Sequence, residues 1–273
     1  MITDINFVRE HLPDIPEDAN KYSKGYAVIF AGSPKMAGAA VLCGKACLKS
    51  GAGIVRLVVP KEIYPVCAGA FLEAVYSFSE EDVDLSKASA VSFGCGIGQS
   101  EEAENILTKL LKENTKPLLI DADGINLLSK HIDILRDVKC PVVLTPHEGE
   151  MSRLTGFTSE YIRSNREVVA KDFAEKHGVI LLLKGKNTVV ASPSGQIMTN
   201  PTGSAALATA GSGDVLSGII TALMCSGVKP FEAAVSGAYI HGLSGDFAEK
   251  NLGKRCVTAS DIIEYLPETF KEC

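Results

Sequence analysis

The chain has 273 residues and a formal net charge of −6 at pH 7; this charge, without any lysine- and arginine-rich run, argues against general affinity for nucleic acid or acidic membranes. Its 46% hydrophobic and 22% charged residues are typical of a packed globular protein and exclude a disordered or fibrous one. Residues 1–20 lack the features of a signal peptide and no stretch approaches the roughly 20 apolar residues of a membrane helix, so we expect a cytoplasmic protein.

Short aliphatic strands alternate in chain order with longer helices, the pattern of a mostly parallel sheet covered by helices on both faces. Strands are predicted at residues 26–30, 54–59, 88–93, 117–121, 142–145 and 179–183. Helices are predicted between them at residues 38–49, 101–113 and 159–177, and glycines follow the first and the last of these.

The pattern changes after residue 183, where segments 188–191 and 196–199 predict a hairpin. A loop rich in Gly and Ala leads into helices predicted at residues 214–225, 230–250 and 260–265. Because no linker, low-complexity tract or repeat interrupts the chain, we expect one α/β domain over residues 1–273 with a doubly wound sheet. Ligands of such sheets bind at the carboxyl ends of the strands.

The strongest single motif is the glycine turn Gly211-Ser212-Gly213-Asp214, which opens directly onto a predicted helix. Glycines let the backbone approach an anion, and the free N–H groups of the helix start stabilise a phosphate, so the turn predicts an anion hole. Asp214 fits a general base beside a transferring phosphoryl group. It equally fits a simple helix cap. The chain has neither a P-loop nor a dinucleotide-binding fingerprint.

Lys184, Gly185 and Thr188 lie in a Lys-Gly-Lys-Asn-Thr segment that follows a predicted strand and begins the hairpin. Backbone and hydroxyl donors in this position can hold nucleotide phosphates. A lysine at a strand end is also commonly a solvated surface charge, and the sequence leaves both interpretations open.

The segment Thr145-Pro-His-Glu-Gly-Glu150 also ends a predicted strand. His147 can donate or accept a hydrogen bond at neutral pH, and Glu150 can bind water around Mg²⁺. Histidines in such positions are as often structural.

The small residues at 37–40 allow either close helix packing or the approach of a planar ligand.

The eight cysteines form no Cys-x-x-Cys pair and no histidine lies at zinc-finger spacing from them, so we interpret them as small buried hydrophobic residues.

Together these segments resemble the ADP/ATP-dependent NAD(P)H-hydrate dehydratases, a branch of the ribokinase-like superfamily. The resemblance covers residues 25–267 and depends on motifs that occur in order with compatible spacing: Gly32-Ser-Pro-Lys-Met-Ala-Gly-Ala-Ala40, Ser50-Gly-Ala-Gly53, Asp121-Ala-Asp-Gly-Ile-Asn-Leu-Leu128, Thr145-Pro-His-Glu-Gly-Glu150, Leu183-Lys-Gly-Lys-Asn-Thr188, Asn200-Pro-Thr-Gly203, Gly211-Ser-Gly-Asp214, His241-Gly242 and Thr258-Ala-Ser-Asp261.

The resemblance implies a ribokinase-like α/β/α sandwich in which Asp214 is the catalytic base. The residues it implies in binding fall into three groups: an anion hole of Gly211, Ser212 and Gly213, a nucleotide site of Lys184, Gly185, Thr188 and Gly213, and a substrate site of Gly38, Ala39, Gly96, His147 and Asp214. One position departs from the family, because Ser204 stands where the family commonly has Asn.

The implied reaction is phosphorylation of the C6 hydroxyl of hydrated NADH or NADPH by ADP or ATP with Mg²⁺, followed by loss of phosphate. The resemblance also implies a homotetramer, and a separate epimerase because we find no fused epimerase domain. Two alternatives stay open at this point: a ribokinase-like kinase for a small alcohol such as a vitamin precursor, and a nucleotide-binding sensor without catalysis.

Overall fold

Nine strands form one sheet in the order β3-β2-β1-β4-β5-β6-β7-β8-β9 in the computed structural model, which describes residues 1–273. The strands are β1 Tyr26–Phe30, β2 Ile54–Val59, β3 Val75–Phe78, β4 Ala90–Phe93, β5 Leu118–Ile120, β6 Val142–Leu144, β7 Ile180–Leu183, β8 Val189–Ala191 and β9 Ile197–Thr199. All pairs from β3 to β7 are parallel, whereas β7, β8 and β9 pair antiparallel. The predicted doubly wound, mostly parallel sheet is confirmed.

Twelve α-helices surround the sheet: α1 Ile5–His11, α2 Ala37–Lys49, α3 Tyr64–Ala70, α4 Glu101–Glu113, α5 Asp123–Leu128, α6 Glu148–Thr155, α7 Ser159–Ser164, α8 Arg166–His177, α9 Ser212–Cys225, α10 Pro230–Leu252, α11 Ala259–Glu264 and α12 Leu266–Glu272. None of the helices is at once long enough and apolar enough to cross a membrane.

Two hydrophobic cores lie on opposite faces of the sheet. One packs β1 and β2 against α2, α9, α10 and α11, and the other packs the sheet against α4, α5, α6 and α8. Successive side chains of a strand point to opposite faces, so a strand such as β1, whose five residues are all buried, contributes to both cores.

Helix α9 lies very close to α2, because a Cβ on Gly218 would overlap the carbonyl oxygen of Cys43. Twelve of the fourteen residues of α9 are buried. The helix that carries the glycine turn at its start is therefore rigidly held inside the protein.

Several elements differ from the sequence-based prediction. The helix expected over 159–177 is two helices, separated at Asn165, which leaves the helical conformation (φ −131°, ψ 34°) while its side chain donates to the carbonyl of Tyr161. Helices α1, α3, α5, α6 and α12 and strand β3 were not predicted. Six cysteines are buried as expected, but Cys256 is exposed and Cys273 half-buried, because they lie in the loop before α11 and at the chain end.

The order of the strands reverses between β1 and β4: the chain runs outward from β1 through β2 and β3, and then restarts at β4 on the other side of β1. In open α/β sheets, ligands bind at the carboxyl ends of the strands at such a switch point. The loops after β4, β5, β6 and β7 lie at this carboxyl edge, and the start of α9 meets them there, since Gly213 lies beside Asp121 and Lys184.

Candidate active site

The glycine turn forms the start of α9. Gly211 adopts the left-handed conformation (φ 88°), which favours glycine, and a Cβ there would lie 2.5 Å from Cδ1 of Leu42. No side chain caps this helix. The N–H groups of Gly213 and Asp214 consequently have no hydrogen-bond partner within the chain. Free donors at a helix start are what an anion hole requires.

Asp214 is the third residue of α9 and makes no capping hydrogen bond, so the interpretation of this residue as a simple helix cap does not describe the structure. Burial of the carboxyl group, together with the negative charge of Asp121, raises the pKa of Asp214 to about 6. A hydrogen bond from the thiol of Cys95 and the charge of Lys184 act in the opposite direction. A carboxylate of this proton affinity is well matched to general base catalysis near neutral pH.

Lys184 lies at the end of β7 and is not a solvated surface charge, because only 19% of its side chain is exposed. Its Nζ lies 2.7 Å from Oδ1 of Asp121 and 3.9 Å from Oε2 of Glu150. Burial lowers the pKa of Lys184, but the two carboxylates outweigh burial and leave its pKa above the ordinary value. The side chain is therefore a fixed positive charge inside the site.

The loop after Lys184 is shaped by a partly buried arginine that sequence reasoning missed. Arg166 donates to the carbonyl of Leu183 (2.7 Å) and to Oε1 of Glu148 (3.1 Å). Gly185 (φ 148°) passes so close that a Cβ would lie 2.8 Å from Nη1 of Arg166. Thr188 closes the loop by donating its hydroxyl to the carbonyl of Gly185 (2.9 Å).

His147 caps α6, an arrangement in which the imidazole replaces the usual hydroxyl or carboxylate. Nδ1 accepts hydrogen bonds from the N–H groups of Gly149 (2.9 Å) and Glu150 (3.2 Å), and Oε2 of Glu150 accepts from the N–H of His147 (2.8 Å). A neutral imidazole therefore carries its proton on Nε2. Nε2 lies 3.4 Å from Oε1 of Glu150, and 54% of the His147 side chain is exposed, so a ligand can also reach this N–H. The structural role of His147 is therefore compatible with a binding role.

Gly96 and Ala39 meet where the loop after β4 contacts the start of α2. Gly96 has a positive φ of 62°, and a Cβ there would lie 2.7 Å from Cβ of Ala39, so this contact is close packing. Nothing lies within 4 Å of a Cβ built on Gly38. The surface at Gly38 is thus open, whereas the Gly96–Ala39 contact is filled.

The Asn200-Pro-Thr-Gly203 loop is bound to α10. The side chain of Asn200 donates to the carbonyl of Ala238 (3.0 Å), and the N–H of Gly203 donates to Oδ2 of Asp246 (3.0 Å). Ser204, at the position that departs from the family, contacts Glu249 with its hydroxyl and accepts from the N–H of Ala206 (3.1 Å). The shorter side chain therefore serves a local capping contact.

Sequence reasoning also missed a buried polar contact at the start of α9. The hydroxyl of Ser212 lies 3.0 Å from Nε2 of His241, and both side chains are buried. Burial lowers the pKa of His241 to about 4, so the ring is neutral at pH 7. The sequence signal was a histidine within the otherwise small and apolar face of α10.

A cavity of about 380 Å³ lies elsewhere, between α4 and segment 79–86. Its lining contains none of the predicted site residues and combines five apolar residues with carboxylates and lysines. The site is therefore located by its chemistry and not by its volume.

Comparison with known proteins identifies the family. A family model described as NAD(P)H-hydrate dehydratase matches residues 27–268. The chain belongs to the NAD(P)H-hydrate dehydratase family. The family resemblance seen in the sequence and the ribokinase-like fold expected from it are both confirmed.

Two relatives illustrate the similarity in sequence. The ADP-dependent (S)-NAD(P)H-hydrate dehydratase of Neisseria meningitidis is 37% identical over 243 residues, which cover 87% of this chain and 81% of the relative. The bifunctional NAD(P)H-hydrate repair enzyme Nnr of Moorella thermoacetica is 37% identical over 277 residues, which cover 96% of this chain and 52% of the relative. This chain thus spans about half the length of the bifunctional relatives.

A crystal structure of the ADP/ATP-dependent NAD(P)H-hydrate dehydratase of Bacillus subtilis, co-crystallised with ATP and Mg²⁺, superposes with a TM-score of 0.88 at 29% identity. The superposition covers 97% of this chain and 95% of that structure.

Proposed function

We propose that this chain is a nucleotide-dependent (S)-NAD(P)H-hydrate dehydratase, which restores NADH or NADPH from its hydrate with ADP or ATP as phosphoryl donor. One observation carries the proposal: Asp214, whose pKa is raised to about 6, adjoins unpartnered N–H donors at the start of α9. A base and an anion hole in direct contact fit phosphoryl transfer to a hydroxyl group. Relatives named for this activity support the substrate.

The chemistry explains why a nucleotide is needed. Hydroxide is a poor leaving group, so the hydroxyl at C6 of the hydrated ring departs slowly until it becomes a phosphate ester. Asp214 accepts the hydroxyl proton while the oxygen attacks the terminal phosphorus of the nucleotide, and the bond to the nucleotide's bridging oxygen breaks. The ring nitrogen lone pair then expels phosphate from C6, and the resulting iminium loses a proton from the neighbouring C5 to water, which restores the C5–C6 double bond of the reduced ring. The N–H groups of Gly213 and Asp214 stabilise charge on the transferring group.

The remaining predicted residues are proposed to bind the two ligands. The ammonium group of Lys184 and the Gly185–Thr188 loop are proposed to contact the nucleotide. Gly38 offers an open surface, and the half-exposed imidazole of His147 offers a donor, for the hydrated nicotinamide nucleotide. Ala39 and Gly96 are proposed to form the wall behind it.

Mg²⁺ fits this donor set only as a weakly coordinated ion. The structure contains no group of three His, Cys, Asp or Glu side chains that could hold a metal. Mg²⁺ keeps several waters and binds through one or two carboxylates plus substrate phosphates. Glu150 is proposed to contact its hydration shell through Oε1, since Oε2 already accepts the N–H of His147. The ion would supply positive charge to the nucleotide phosphates.

The decisive experiment mixes purified protein with hydrated NADH, Mg²⁺ and either ADP or ATP, and follows the absorbance of the reduced nicotinamide ring. We expect a rise with at least one donor. Asp214→Asn should bind nucleotide but lose turnover by a factor of about 10² to 10⁴, the usual scale for a positioned base. Asp133→Asn, which alters an exposed carboxylate, is the matched control. Near-normal turnover of Asp214→Asn would contradict the assignment.

The same reaction distinguishes the alternatives by phosphorus NMR. A dehydratase releases inorganic phosphate in step with NADH, whereas a small-alcohol kinase accumulates a stable phosphate ester. A nucleotide sensor would bind the nucleotide and release neither product.

We also propose that the protein acts in the cytoplasm as a homotetramer and works together with an NAD(P)H-hydrate epimerase activity. The family resemblance supports the tetramer and the link to an epimerase. Analytical ultracentrifugation measures the oligomeric state, and an unconsumed fraction of a mixed-epimer hydrate that disappears when an epimerase is added would support this link.

A further inference from the structure

Asp121 is a buried carboxylate to which the sequence assigned no role. It lies at the carboxyl end of β5 and is 1% exposed. Three chain segments provide its partners: Nζ of Lys184 at 2.7 Å, the hydroxyl of Ser217 in α9 at 2.7 Å and the N–H of Ala122 at 2.8 Å. One side chain thus joins the end of β5, the end of β7 and the second turn of α9.

The backbone around Asp121 is shaped to place it there. Ala122 adopts a positive φ of 50°, which is unfavourable for a residue with a side chain. Gly94 (φ 126°) lies against it, and a Cβ on Gly94 would overlap the carbonyl oxygen of Asp121. Burying a carboxylate is also unfavourable unless it is paired. Unfavourable features that converge on one residue indicate a function for it.

We propose that Asp121 is a positioning residue of this site: its carboxylate holds the ammonium group of Lys184 beside the glycine turn, and its negative charge keeps Asp214 a competent proton acceptor. The inference rests on the proposed function, in which Asp214 is the base and Lys184 contacts the nucleotide.

The positions of the charged atoms support the first half of the proposal. A Cβ built on Gly213 would lie 3.4 Å from Nζ of Lys184 and 3.7 Å from Oδ2 of Asp121, so the ion pair lies directly beneath the turn. Without Asp121, the nearest remaining anion for Lys184 would be Glu150, whose Oε2 is 3.9 Å away. The ammonium group would then move toward α6 and away from the turn.

The geometry and the groups that face Asp214 support the second half. Asp214 directly follows Gly213, where a Cβ would lie 3.7 Å from Oδ2 of Asp121, so the charge of Asp121 lies beside the backbone that carries Asp214. Three charged groups and one thiol face the Asp214 carboxyl. They come from four segments: Asp121 after β5, Asp123 in α5, Lys184 after β7 and the thiol of Cys95 after β4. Asp121 is the charge that most raises the pKa of Asp214, second only to burial, whereas Cys95 and Lys184 lower it. Removing the charge of Asp121 while keeping Lys184 should therefore weaken the affinity of Asp214 for a proton.

The test is Asp121→Asn, which keeps the shape of the side chain. Carbon NMR of protein labelled at its aspartate carboxyl carbons gives the titration midpoint of Asp214, and the resonance is assigned by its loss in Asp214→Asn. We expect the midpoint to fall by about one pH unit, the scale of a nearby charge, and the acid limb of kcat/KM to fall with it. The dissociation constant of Mg-nucleotide should rise about tenfold, since an order of magnitude is typical for a misplaced ion pair.

Ser217→Ala is the matched control, because it removes a partner of Asp121 without changing any charge. It should leave the Asp214 midpoint in place. An unchanged midpoint in Asp121→Asn, or an equal fall in Ser217→Ala, would overturn the proposal. The NMR readout does not require turnover. If the protein fails to dehydrate the hydrate, the proposed function is wrong, but the titration midpoint of Asp214 still tests the role of Asp121.

Asp121→Asn leaves Lys184 as an unpaired buried charge, which can destabilise the fold. The double variant Asp121→Asn with Lys184→Met avoids this problem because it removes both charges of the pair. Asp121 raises the pKa of Asp214 more than Lys184 lowers it. The Asp214 midpoint of the double variant should therefore still lie below that of the wild-type protein, and an unchanged midpoint would also overturn the proposal.

Discussion

Asp214→Asn should make the protein more stable at pH 8 while abolishing most of its activity. The folded-state pKa of Asp214, about 6, lies above the ordinary value of 3.8, so the native state binds this proton more tightly than the unfolded state does. The charged carboxylate therefore destabilises the fold. This destabilisation is complete above about pH 6, fades as pH falls from 6 toward 4, and is absent below about pH 4.

The magnitude follows from the difference of about 2 pH units between the two pKa values, each worth about 1.4 kcal/mol. The upper limit is about 3 kcal/mol. Because the side chain is only partly buried, we expect Asp214→Asn to raise the free energy of unfolding at pH 8 by about 1 to 3 kcal/mol. Asparagine keeps the size of the side chain and removes only its charge.

Urea unfolding followed by far-ultraviolet circular dichroism measures this effect, since the chain has no tryptophan for fluorescence. The gain at pH 8 should disappear at about pH 4. Asp133→Asn, at an exposed ion pair with Arg136, should change stability by less than about 0.5 kcal/mol at either pH. A loss of stability in Asp214→Asn at pH 8, or a gain that is equal at both pH values, would refute the electrostatic argument.

Three further outcomes are expected. The kcat/KM of the wild-type protein should fall about tenfold per pH unit below about pH 6, where Asp214 becomes protonated, and a profile that stays flat to pH 5 would exclude Asp214 as the base. Gly218→Ala should lower the free energy of unfolding by about 1 to 3 kcal/mol because its Cβ overlaps the carbonyl of Cys43, whereas Gly69→Ala, with open space around it, should be neutral or slightly stabilising. Cys256 should react first with a thiol reagent in the native protein, and rapid reaction of the six buried cysteines would contradict their burial.

The sequence predicted the sheet well because its strands are short, buried and separated by clear glycine signals. Residues 26–30 and 54–59 form β1 and β2 with the predicted bounds. Strand β3 was missed because it lies at the sheet edge, where Val75 is exposed and the apolar pattern fades. Helix α6 was missed for a different reason. Its N-cap is His147, whereas Ser, Thr, Asp and Asn are the residues that usually indicate a helix start.

The residues of the candidate site likewise differ in how well the sequence predicts them. A local motif such as the glycine turn is visible in the sequence because the backbone needs particular residues at consecutive positions. The ion pair between Asp121 and Lys184 joins residues 63 positions apart, and only the strand order brings them together. The contacts of Arg166 and His241 were missed because a single polar residue in a helix gives no indication of the partner it contacts across the core.

The electrostatics of the site and the packing of α9 depend on each other. Asp214, whose charged form lowers stability, belongs to α9, and the strained Ala122 follows Asp121, whose carboxylate contacts α9 through Ser217. They persist because twelve residues of this helix are buried against α2, α10 and the sheet, which compensates for the local strain. The same rigidity fixes the free N–H donors before any ligand binds, and fixed donors stabilise developing charge without reorganisation. A change that loosens α9 far from the turn, as Gly218→Ala does, should therefore lower kcat as well as stability.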